Sequence, residues 1–150
     1  MTVHGTVRRL PRTTRMGAHR YEDLVAWQLA NELKEKVYDL IDNSPARNDF
    51  DFRDQIKDSS SSAPANISEG FGYYYHKQFA RHVRIARASE METHNHLGDG
   101  VKRGHWTEEK MIPLQQLAKT HVAPCTVHRC TVAPCTIALC TVAPGLHTLP

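Results

Sequence analysis

The chain has 150 residues, 40% hydrophobic and 23% charged, with a formal net charge of +3, which suits one globular domain around a single core. It holds no run of roughly 18 apolar residues, which excludes a membrane-spanning helix. Its basic N-terminus lacks the apolar stretch of a secretory signal, so a cytoplasmic protein is expected.

Residues 1–20 carry Arg8, Arg9, Arg12, Arg15 and Arg20 without one acid. They show no apolar periodicity and read as a disordered basic arm able to hold phosphates non-specifically. They also read as upstream sequence before a start at Met16, which would take the net charge from +3 to −1. Residues 21–120 hold 13 basic and 16 acidic residues, so the positive balance belongs to the arm and not to the body.

The body reads as four helices. Ala26, Ala30, Leu33, Val37, Leu40 and Ile41 line one face of a first helix over about Asp23–Ile41. Asn43, Ser44 and Pro45 end it. From Phe52 to Phe71 the run Ser59–Ser62 followed by Pro64 would score as a linker on propensity alone. Ile56, Ala63 and Ile67 nevertheless fall at helical offsets, and Gly70 stands where a helix stops, so a helix kinked at Pro64 is expected. Phe79, Val83, Ala86 and Leu97 mark a third helix over about His76–Leu97, with Ile85 at its edge and Gly98, Gly100 and Gly104 loosening its end. Thr107 then caps a fourth helix carrying Met111, Ile112, Leu114, Leu117 and Ala118. Pro113 is acceptable there because it lies in or near the first turns. Residues 121–150 repeat Val-Ala-Pro every ten residues, and Pro124, Pro134 and Pro144 forbid a continuing helix. This segment reads as a low-complexity tail.

Asp54-Gln55-Ile56 and Pro64-Ala65-Asn66-Ile67-Ser68-Glu69-Gly70, flanked by Asp23-Leu24-Val25-Ala26-Trp27 and Arg84-Ile85-Ala86-Arg87, form a distinctive pattern. Over about Tyr21–Lys119 the chain resembles the bacterial four-helix bundle proteins, also known as the 23S rRNA intervening-sequence family. The resemblance implies an all-α, antiparallel up-down bundle assembling with itself into a ring, typically a homopentamer, without enzymatic activity or a cofactor. It marks Gln55, Pro64, Asn66, Glu69 and Gly70 as motif positions. Relatives linked to diversity-generating retroelements bind RNA or DNA and a reverse transcriptase. The chain departs from the pattern at Ser59, Ser60, Ser61 and Glu90, where apolar or small residues are usual, and at Lys57-Asp58 and Tyr73, where basic residues are usual. Buried without partners, such polar groups would cost about 1–3 kcal/mol each. A decayed, functionless gene copy with a frameshifted tail is therefore one alternative.

Several constellations are candidates for chemistry. Lys77, Arg81, Arg84 and Arg87 recur at spacings of three and four and form a basic ridge, either a phosphate-binding surface or a solvated face paired with nearby acids. Asn66 and Glu69 either line a site or serve structure, Asn66 by satisfying the carbonyl that Pro64 frees and Glu69 by bonding a neighbouring helix. Arg87 and His94 share the spacing of a pair used by helical ribonucleases, the enzymatic alternative. His94 and His96 point to different faces and cannot chelate one metal while helical. Cys125, Cys130, Cys135 and Cys140, with His121 and His128, lack the short spacing of a zinc knuckle, so no metal is expected. Tyr73, Tyr74, Tyr75 and Trp106 exceed what a short monomeric bundle needs to cover, which favours self-assembly.

Overall fold

A computed structural model describes residues 18–73 and 75–122, without the side chains of 120–122. The basic arm through residue 17 and the repeats from residue 123 onward lie outside the described residues. Four helices and no strand occur among those described: α1 (Val25–Asp42), α2 (Phe50–Gly72), α3 (His76–Lys102) and α4 (Glu108–Val122). α1 packs on α2 and α4, α2 on α3, and α3 on α4, so the four close into a cycle. None is long and apolar enough to cross a membrane.

The apolar stripe expected on the first helix faces inward: Ala26, Ala30, Leu33, Val37 and Ile41 are all buried. Leu24 is 1% exposed just before it, held by a 3-10 turn over Tyr21–Asp23. α2 begins at an Asp49 cap, whose Oδ1 accepts the Phe52 amide at 3.3 Å, satisfying a donor the first turn would otherwise leave open. It runs unbroken through the four serines and Pro64, because burial of Phe52, Ile56, Ala63 and Ile67 outweighs weak intrinsic propensity.

Two expectations about glycines fail for the same physical reason. Gly70 does not stop α2, which continues to Gly72. A Cβ at Gly70 would lie 2.6 Å from His82 Cβ, so the glycine serves the close approach of α3. The third helix likewise continues through Gly98 and Gly100 to Lys102. The Trp106 indole fills the space a Gly100 side chain would take, and its Nε1 donates to the Leu97 carbonyl at 3.0 Å. Gly104, φ 75°, closes the end of α3 two residues past Lys102, with Gly104 N–H on Val101 O and His105 N–H on Gly100 O, the paired bonds of a Schellman motif. Trp106 is 5% exposed and belongs to the protein's own core, so it does not count towards an assembly surface. On α4, Leu114 and Ala118 are buried while Ile112 is exposed.

The core divides in two. One cluster joins Leu33, Val37, Ile41, Phe52, Ile56, Leu97, Trp106 and Leu114. The other is built of Leu24, Ala26, Ala30, Ala63, Ile67 and Ala86, with Tyr21, Trp27, Phe71 and Phe79 against it.

Candidate nucleic-acid interface

α3 is amphipathic in an unusual way, because its wet face is also its basic face. Val83, Ala86 and Leu97 turn into the core, while Lys77, Arg81, Arg84 and Arg87 are all exposed. Among the described residues none of the four forms an ion pair or a side-chain hydrogen bond. The four residues of the expected ridge therefore stand exposed on one helix, and no carboxylate pairs with them among the described residues. Exposed Ile85 and Met91 stand on the same helix, so apolar surface interleaves with the charge.

The motif residues divide by role. Pro64 and Gly70 are buried, and Gln55 is exposed and apart from the rest. Asn66 and Glu69 both reach His82, which is 7% exposed: Asn66 Oδ1 lies 3.4 Å from Nδ1, and Glu69 Oε2 lies 3.9 Å from it. Tyr73 stacks on the same imidazole at 5.3 Å and donates its hydroxyl to Glu69 Oε1 at 3.2 Å. Asn66 Nδ2 donates to the Ser62 carbonyl at 2.8 Å. Since Pro64 frees the carbonyl four residues earlier, on Ser60, the expected role of Asn66 is corrected.

These contacts extend a row of polar rungs between α2 and α3. Thr93 Oγ1 lies 3.1 Å from Ser59 Oγ, and Ser62 Oγ lies 2.9 Å from Ser89 Oγ. Partner numbers fall along α3 as they rise along α2, so these two helices run oppositely. Ser59, Ser60 and Ser61 each donate to the carbonyl three residues back, and buried Glu90 has partners too. The expected penalty for unpartnered polar groups therefore does not arise.

At the end of this row lies a cleft of about 270 Å³, lined by Ala18, His19, Gly70, Phe71, Tyr75, His76 and Phe79. Tyr75 is 73% exposed. The sequence reading missed this cleft, since its walls come from three segments. The only signal available was the density of aromatics between Phe71 and Phe79.

The opposite end holds a different arrangement. Asp49 Oδ2 accepts from Arg103 Nη1 at 3.2 Å and lies 3.0 Å from His105 Nε2. Burial works to raise the Asp49 carboxyl, but the Phe52 amide, His105 and Arg103 together outweigh it and hold it below its ordinary value. Phe52 lies within 5.7 Å of both the His105 and Trp106 rings. Arg87 and His94, seven residues apart, lie two turns, about 10 Å, from each other along α3, with Arg87 exposed and His94 half-buried. His94 Nε2 is buried without a hydrogen-bond partner among the described residues, and burial, then Lys119, lowers its basicity. No group of three or more metal-ligating side chains occurs among the described residues, and the cysteines lie outside them.

A family model described as 23S rRNA-intervening sequence protein matches residues 22–123. Against curated proteins the chain finds no match.

Proposed function

The chain belongs to the 23S rRNA-intervening sequence protein family, and from that premise we propose that it is a non-enzymatic, nucleic-acid-associated accessory protein that works as a homo-oligomer. The observation that carries the reading is the row Lys77, Arg81, Arg84 and Arg87, exposed on one helix without a carboxylate partner among the described residues. Four exposed cations on one helix suit a phosphate-binding surface, whose affinity would come from counterion release. Repetition of that row around an assembly would multiply it. Exposed Ile85, Met91 and Ile112 supply apolar area for self-association. The cyclic packing of the helices and the opposed rungs of α2 and α3 support an up-down antiparallel bundle as the unit that assembles, with a ring such as a pentamer as the product. A reverse transcriptase is a fitting protein partner by the family resemblance.

The reading is tested by fluorescence anisotropy of labelled RNA and DNA at low salt with the full chain. Substituting Arg81, Arg84 and Arg87 together by Glu is expected to weaken binding roughly tenfold or more. Unchanged binding would remove the ridge from the account. Native mass measurement is expected to give a multiple of the 17.0 kDa chain mass, and a monomer would remove the assembly.

The enzymatic alternative is disfavoured by the burial of His94 Nε2. A general base must reach the proton it abstracts. RNA cleavage that is lost in His94→Ala would restore that alternative.

A further inference from the structure

We propose that the cleft between the α2 C-terminus and the α3 N-terminus receives one unpaired base of a single-stranded nucleic acid, while Arg84 and Arg87 hold the phosphates that follow it. The inference rests on the nucleic-acid reading above and gives that reading a strand type and an anchoring point. Two features meet here. The first is shape and chemistry: a cavity of about 270 Å³ whose lining includes the rings of Phe71, Tyr75 and Phe79 and the imidazoles of His19 and His76. Sites for drug-sized ligands run from about 300 Å³ upward, so this one suits a single planar ring system. Aromatic walls favour a flat π-surface. The ring nitrogens of His19 and His76 can exchange hydrogen bonds with the edge of a base.

The second feature is the path of charge that leads away. His76, Ala80, Arg84 and Arg87 occupy positions i, i+4, i+8 and i+11, which is one flank of a helix. From His76, in the cleft lining, to Arg87 the rise along α3 is about 16 Å. Both arginines are exposed and without a carboxylate partner among the described residues. A strand whose base enters the cleft can therefore lay its backbone along that flank. An aromatic wall beside a cationic track is the combination that holds single strands with little regard for sequence, since every base offers a π-face. A duplex cannot use the cleft without first extruding a base, which costs unstacking and unpairing.

The experiment compares one labelled single-stranded oligonucleotide with the duplex formed from it, using the full chain. Tyr75, at 73% exposure, can be changed without disturbing the core. Tyr75→Ala is expected to weaken single-strand binding by roughly 5- to 100-fold and to leave duplex binding unchanged. Tyr75→Phe keeps the ring and is expected to restore single-strand binding. Single-strand binding that is indifferent to Tyr75→Ala but lost on charge reversal of Arg84 and Arg87 would overturn the cleft and leave the ridge standing. Binding of both probes that is indifferent to charge reversal would overturn the ridge and this inference with it.

Discussion

The two ends of the helix assembly are built on opposite principles. Near the α3–α4 turn, bulk holds the structure: Leu33, Ile41, Ile56 and Leu97 are at most 1% exposed around Trp106. Near the α2–α3 turn the core is mainly alanine, with Ala26, Ala30, Ala63 and Ala86, and Gly70 lets the helices approach closely. Small residues give close backbones and few large contacts. Exposed and half-buried aromatic rings line a cleft there, and the exposed arginines of α3 lead away from it along the helix. Cohesion concentrates at the first end and surface for recognition at the second.

The contrast is broken most directly at Leu97, which is fully buried. Leu97→Ala is expected to cost about 2–5 kcal/mol in denaturant unfolding. A cost below about 1 kcal/mol would show that this end does not dominate stability.

The glycines sharpen the comparison. Gly100→Ala sets a methyl group against the Trp106 indole and is expected to cost about 1–3 kcal/mol by overpacking. Gly70→Ala meets His82 Cβ and is expected to cost a similar amount at the other end. Gly98, with only Gln115 Nε2 at 3.9 Å, is the control. Gly98→Ala is expected to stabilise by about 0.5–1 kcal/mol. Thermal unfolding of the three variants checks this, and equal shifts would refute the packing argument.

The polar rungs are tested by pairs. Thr93→Val leaves Ser59 without its cross-helix neighbour and is expected to cost about 1 kcal/mol, most of it recovered when Ser59→Ala is added. Additive costs would mean that the two hydroxyls do not communicate.

The smallest effect is electrostatic. His94 has its basicity lowered by burial and then by Lys119, so its neutral form is favoured in the fold. Its contribution is complete above the unfolded value of about 6.5 and is lost as pH falls towards the lowered folded value. In His94→Gln the decline in stability below that pH is expected to be shallower. An unchanged stability–pH curve would remove His94 from the account.

Much of this was legible in the residues. The stripe on α1 could be read from spacing alone, and Ile56, Ala63 and Ile67 identified α2 as helical despite four serines and a proline. The partners of those serines could not be read, because Ser59 meets Thr93 only once the register of α2 on α3 is known. The length of α3 was misjudged for a related reason. Glycine propensity is local, whereas the indole that makes Gly100 necessary arrives from the following turn. The basic ridge needed only a spacing of three and four. The cleft needed segments that meet only in the fold.

The central claim is that the α3 arginines contact phosphates. Its most direct test is the salt dependence of binding to a labelled duplex. Changing Arg81, Arg84 and Arg87 to Gln one after another should lower the slope of log affinity against log salt by up to about 0.9 for each residue. A slope that stays constant through the series would contradict the claim, whatever the affinity does.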